Sequence, residues 1–98
     1  MEMNKNLIMG LWKFDQRVGR EVLVEVAKDW ASDENYVQLY IRKVSKDQNG
    51  IGFAYTTDGS EEAHDTYFSK TSDQLKRKFG NDLVGWDMAS TVTVIKGF

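Results

Sequence analysis

The one histidine of this sequence, His64, stands in the run Glu61-Glu62-Ala63-His64-Asp65, where nitrogen and oxygen donors crowd together. Such side chains can ligate a divalent metal. The spacing argues against it. No second histidine follows at a metal-binding interval, and on a strand His64 and Asp65 would point to opposite faces. The segment reads instead as a solvated acidic turn leading into a strand. Nucleophilic catalysis has no better footing. The chain has no cysteine, a Ser-His-Asp triad would have to run through His64, and no Gly-x-Ser-x-Gly elbow presents a serine. Gly50-x-Gly52 follows a turn and opens a strand, which is hairpin geometry and not a phosphate cradle. The stretch Asp47 to Gly50 lacks the carboxylates and terminal glutamate of a calcium loop. The expectation is a protein that is not an enzyme, with no catalytic residue, no metal and no cofactor.

The residues that could recognise a partner are aromatic. Period-two alternation puts Tyr36, Tyr40 and Arg42 on one face of a strand, Phe53 and Tyr55 together on the next, and Trp12 and Phe14 together on the first. Aligned across a sheet, these would form an aromatic platform with a guanidinium. Trp, Tyr and Arg are the residue types of protein-interface hot spots. The same platform could stack unpaired bases, each worth about 1–3 kcal/mol. The competing account is structural, because cross-strand aromatic pairs also stabilise sheets. A second constellation, Lys43 with Lys76, Arg77 and Lys78, could contact phosphate or an acidic partner. The helix run Leu75 to Phe79 also has a plain reading, cations at the negative end of a helix dipole with Asp73 spaced to pair with Arg77.

The elements that must position these residues follow from periodicity and turn chemistry. Leu7 to Phe14 is nearly continuously apolar and predicts a strand buried on both faces. Asp15 to Arg20 reads as a hairpin connection around Gly19. Glu21 to Trp30 alternates, with Val22, Val24 and Val26 on one face, and predicts a second strand. Tyr36 to Val44 and Ile51 to Thr57 form the next hairpin, joined at Asn49-Gly50. His64 to Phe68 reads as a short fifth strand. One helix of about ten residues follows, with Thr71 and Gln74 in capping-box spacing, Ser69 as a competing cap and Gly80 as its C-terminal stop. Ser90 to Ile95 is the last strand. The expected order is β-β-β-β-(β)-α-β. It is an α+β domain with a single antiparallel sheet of five to six strands, open or curled into a small barrel, and one helix before the last strand.

Composition bounds the rest. Ninety-eight residues with 41% hydrophobic and 12% aromatic content suit one globular domain spanning residues 1–98, with residues 1–6 frayed. Thirteen Lys and Arg against 15 Asp and Glu, a net charge of −2, disfavour a dedicated duplex-DNA binder. No apolar run is long enough to span a bilayer. The absence of cysteine fits a cytoplasmic setting. These points favour a non-enzymatic protein-binding module, such as an inhibitor, an immunity-type protein or an accessory subunit, acting through the aromatic sheet face. The alternative is a single-stranded nucleic-acid binder using the same aromatics and the basic helix end. No membrane partner is expected.

Overall fold

The computed structural model describes residues 5–96. Its elements run β1 (Lys5–Asp15), α1 (Arg20–Trp30), β2 (Tyr36–Ser45), β3 (Gln48–Thr57), α2 (Glu61–Phe79), a 3₁₀ turn over Gly80–Asp82, and β4 (Leu83–Val94). The strands form one antiparallel sheet of order β2-β3-β1-β4. The α+β class, the antiparallel sheet and the helix ahead of the last strand are as expected, and of the two forms the sequence left undecided the sheet takes the open one, not the barrel. The connectivity is β-α-β-β-α-β, two interlocked split β-α-β units, the ferredoxin-like arrangement.

Two segments expected as strands are helical. Glu21–Trp30 forms α1 because Leu23, Val26 and Trp30 recur at the i, i+3, i+7 spacing of one helix face, and that face is buried. Its valines satisfy period two as well, but burial decides: Val22 is left 39% exposed. Gly19 is the N-cap of this helix, not a hairpin residue, and its carbonyl accepts from the Val22 and Leu23 amides. His64–Phe68 lies inside α2, which starts eleven residues earlier than the Thr71 box suggests. Ser60 is the true cap, its Oγ accepting from Ala63 N at 3.0 Å. Gly59 at φ 83° makes the preceding turn. Gly80 does close the helix, at φ 56°, with its amide on the Lys76 carbonyl.

The central strand β1 pairs with β3 on one side and β4 on the other. Its Ile8, Trp12 and Phe14 are buried under the helices, while Met9, Leu11 and Lys13 on the opposite face are only part-buried, so the expected burial on both faces is not complete. Lys5 and Asn6 belong to this strand, paired with Val94 and Thr93, and so are not frayed. Residues 1–4 of the expected frayed end lie outside the described residues. The β2–β3 hairpin turns at Lys46-Asp47, not at Asn49-Gly50. Gly50 sits within β3 because a Cβ there would press on Leu11, Val44 and the Trp12 carbonyl.

Both helices cover the same sheet face. Ile8, Trp12, Phe14, Ile51 and Phe53 from the strands meet Leu23, Val26 and Trp30 of α1 and Tyr67 and Leu75 of α2 in one buried cluster. Each fully buried large side chain of this kind contributes about 1.5–3 kcal/mol. Helix α1 packs on β2 and β3, while α2 packs on β4. The helices thus lean toward opposite edges of the sheet. Among the described residues, no helix is long and apolar enough to cross a membrane.

Candidate functional site

The aromatic residues expected on one platform are divided by the sheet. Trp12, Phe14 and Phe53 are at most 1% exposed and belong to the core beneath the helices, so they offer no surface to a partner. Alternation had grouped Tyr36 with Tyr40 and Arg42. A register shift between Tyr36 and Gln38 breaks that grouping and turns Tyr36 to the helix side, opposite Tyr55. Tyr40 and Arg42 stay on the uncovered face. The Tyr40 ring lies over Gly52, where any Cβ would collide with it. Arg42 Nε donates to the Lys43 carbonyl at 3.3 Å, and both side chains are exposed. The basic residues are likewise split. Lys76, Arg77 and Lys78 lie exposed on α2, which covers the opposite face of the sheet from Tyr40 and Arg42. Lys76 Nζ stands 5.7 Å over the Trp86 ring and Lys78 Nζ 5.7 Å over Phe79. Among the described residues, no ion pair joins Asp73 to Arg77.

What the fold does assemble is a cleft of about 830 Å³ between the end of α1, the end of β3 and the first half of α2. Its wall begins where α1 stops at Trp30. The following loop is tied down residue by residue. Asp33 N donates to the Trp30 carbonyl, and Asn35 N donates to Asp33 Oδ1 at 2.9 Å, an Asx-type turn. Thr56 of β3 then clamps the loop, its amide and its hydroxyl both donating to the Asn35 carbonyl at 2.8 and 3.0 Å.

The floor is a tyrosine cluster. Tyr36 and Tyr67 share a hydroxyl–hydroxyl hydrogen bond of 2.8 Å. The Tyr55 hydroxyl donates to Asp33 Oδ2 at 3.2 Å and accepts from Asn35 Nδ2 at 3.4 Å. Trp30 stacks flat on Tyr36, with centroids 5.6 Å apart and planes 4° apart, and Tyr55 meets Tyr67 at 4.6 Å. Burial, reinforced by the neighbouring Tyr67, drives the Tyr36 hydroxyl far above its ordinary pKa. Burial also pushes Tyr67 up to about 12, against the opposing effect of its hydrogen bond to Tyr36 and of the nearby polar groups of Trp12 and Thr71. Both hydroxyls are therefore neutral at ordinary pH and act as hydrogen-bonding groups. Trp12 Nε1 is buried close to the Tyr67 hydroxyl and has no hydrogen bond of good geometry among the described residues.

The rim is acidic. Asp29, Asp33, Asp58 and Glu62 line the cleft with a single cation, Lys70. The Asp58 carboxylate is held below its usual pKa by hydrogen bonds from Ser60. Its Oδ1 accepts from the Ser60 amide at 2.8 Å.

Tyr36 and Tyr55 were singled out in the sequence; Trp30, Asp33, Asn35 and Tyr67 were not. The signal for Tyr67 is its i+4 spacing to Thr71 and i+8 spacing to Leu75, which are buried with it on α2. It is legible only once the helix is extended back to Glu61. His64 faces a smaller groove of about 380 Å³ with Phe68, Trp86, Asp87 and Met88. Among the described residues, no three His, Cys, Asp or Glu side chains gather as a metal site.

The fold is α+β, and the cleft between its helices and the end of β3 is aromatic below and acidic above. Compared with known proteins, the chain matches no family model, no curated sequence and no solved structure. A ferredoxin-like order does not by itself assign an activity.

Proposed function

We propose that this protein is a non-enzymatic binding module for a protein partner, and that it receives that partner in the tyrosine cleft. The observation that carries the reading is the cleft itself. Its volume of about 830 Å³ falls in the range of functional pockets, and its Tyr36, Tyr55 and Tyr67 hydroxyls and its Asp33 and Asp58 carboxylates are held in place by hydrogen bonds before any ligand arrives. Such pre-organisation lowers the ordering cost of association. The cleft is open along one side, which suits a protruding segment of another chain. The expected aromatic recognition is retained in Tyr36 and Tyr55 but moves from the sheet face to the sheet end. A cytoplasmic setting, expected from the composition, belongs to the same proposal.

The test is selection of a displayed random-peptide library against the folded protein, followed by two blocking variants. Thr66→Trp fills the cleft from the exposed side of α2. Gln38→Trp places the same bulk on the uncovered sheet face. Selected peptides should lose binding to the first and keep it with the second. The reverse result would move the site to the sheet face, and a selection that yields no cleft-dependent binder would remove the proposal.

Single-stranded nucleic acid is kept as the second reading because Tyr40 is 44% exposed on the uncovered face with the exposed Arg42 on the same side of β2, while Lys43 alternates to the other side. It has one stacking ring there instead of the expected platform, and the α2 cations lie on the other side of the sheet. An oligonucleotide that quenches tryptophan fluorescence at low salt and releases at moderate salt would support it.

A further inference from the structure

Resting on that reading of the cleft, we infer that its specificity is for a guanidinium: the partner inserts an arginine side chain between the tyrosine rings and the acidic rim. Three features of the cleft converge on this chemistry. The first is charge, four carboxylates from three separate segments facing one ammonium. Asp29 and Asp33 come from the end of α1 and its loop, Asp58 from the turn after β3, and Glu62 from the first turn of α2.

The second feature is the state of Asp33. Its two oxygens are each held by one donor, the Asn35 amide on Oδ1 and the Tyr55 hydroxyl on Oδ2. A carboxylate has about four acceptor positions, so one remains on each oxygen. That spare acceptor on each oxygen can take the two N–H donors of a guanidinium, which binds carboxylates two-pronged. Holding Asp33 in place beforehand fixes the angle of that approach.

The third feature is the floor. Trp30, Tyr36, Tyr55 and Tyr67 line the same concavity, Tyr36 and Tyr55 half-buried and packed on the buried Trp30 and Tyr67. A cation within about 6 Å of such a ring is attracted by its quadrupole, and a planar guanidinium also stacks. An anionic group would meet the carboxylates with a single lysine to offset them. A neutral apolar side chain would bury the tyrosine and carboxylate oxygens without donors.

The experiment uses the intact protein and three capped tripeptides, acetyl-Gly-Arg-Gly-amide, its lysine counterpart and its citrulline counterpart. Citrulline keeps the shape of arginine and removes the charge. Binding is followed by amide chemical shifts in a nitrogen-15 spectrum. The arginine peptide should shift the amides of Thr56, Thr57, Ala63 and Thr66, bind more tightly than the lysine peptide, and exceed the citrulline peptide by about tenfold or more. Glu62→Gln and Asp33→Asn should each weaken the arginine peptide by roughly two- to fivefold, as single exposed or half-exposed charges do. Asparagine at 33 can still accept from the Asn35 amide, and Glu62 is exposed, so the fold is retained; Glu62→Gln alone carries the test if Asp33→Asn perturbs the loop. Methylguanidinium serves as the free-cation control. If it binds as tightly as the arginine peptide, the site is one for small organic cations and the arginine-segment inference is overturned. Equal binding of arginine and citrulline, or shifts confined to residues outside the cleft, would also overturn it. Cleft-dependent peptides from the library that lack arginine would sink this inference and leave the binding-module reading standing. A library with no cleft-dependent binder would sink both.

Discussion

The Tyr36 and Tyr67 hydroxyls meet at 2.8 Å, joining the edge strand β2 to helix α2 across the floor of the cleft. Both rings are largely withdrawn from water, so each oxygen depends on the other. Removing one hydroxyl strands its partner. Tyr67→Phe and Tyr36→Phe should each lower stability by about 1–3 kcal/mol, the penalty for an unpaired buried polar group. Removing both should cost less than the sum of the two, because the double variant leaves neither oxygen stranded. Urea denaturation of the four proteins checks this; additive losses would mean that the bond contributes nothing of its own.

The same pair predicts loss of stability in alkali. Tyr67 titrates near 12 in the folded protein against about 10 in the unfolded chain. Below pH 10 both states are protonated there and the group has no effect on stability. Between about 10 and 12 the unfolded chain loses its proton while the folded one keeps it, so unfolding becomes easier as pH rises. The slope is about 1.4 kcal/mol per pH unit, or nearly 3 kcal/mol across the window. Tyr36, shifted the same way and further by burial, extends the loss to higher pH. Urea midpoints should change little from pH 9 to 10 and then fall from pH 10 to 11 for the wild type, and fall more gently there for Tyr67→Phe. Parallel curves would count against the shift.

The β2–β3 hairpin, the central strand β1 and the Gly80 stop were legible in the sequence because each is fixed by a local rule. These are alternation beside a short turn, a two-sided apolar run, and a helix-ending glycine. The errors came where two periods fit the same residues. Val22, Val24 and Val26 satisfy a strand, while Leu23, Val26 and Trp30 satisfy a helix, and only the presence of a sheet face to cover chooses between them. The candidate site was hidden for the same reason. Its Trp30 and Tyr67 lie on the two misread helices, and its Tyr36 reaches the cleft through a register shift that no local pattern encodes. A one-residue slip moves a side chain to the other face, so an error at one bulge removes a residue from the correct surface.

Glycines in the sheet give a prediction about spacing. An added Cβ at Gly10 would stand 2.5 Å from the Asp87 carbonyl oxygen and 3.1 Å from Met88 Cα, both backbone atoms of β4. At Gly52 the nearest atoms it would strike are those of the Tyr40 ring, which is half-exposed and can swing away. Gly10→Ala should therefore destabilise by about 1–3 kcal/mol, as overpacking does. Gly52→Ala should cost less than about 1 kcal/mol, because a strand favours alanine over glycine. Gly85→Ala, with nothing within 4 Å, should fall within about 0.5 kcal/mol of the wild type. Urea midpoints that rank Gly52→Ala below Gly10→Ala would contradict the packing of Tyr40 described above.

Two tyrosines on one strand separate the cleft from the sheet face. Tyr36 stacks on Trp30, meets Tyr55 edge-on at 4.8 Å, and is bonded to Tyr67. Tyr40, 44% exposed, covers Gly52 on the far side. Truncating a packed aromatic costs about 3–5 kcal/mol, whereas a change at an exposed position is usually within about 0.5 kcal/mol. Tyr36→Ala should therefore lower the melting temperature by many degrees and abolish binding of cleft-selected peptides. Tyr40→Ala should leave both nearly unchanged while removing any oligonucleotide-dependent fluorescence change. Calorimetry and the two binding assays on the same pair of variants separate the readings. If Tyr40→Ala abolishes peptide binding while the protein remains folded, the partner lies on the uncovered face, and the tyrosine cluster is then a structural seam between β2 and α2.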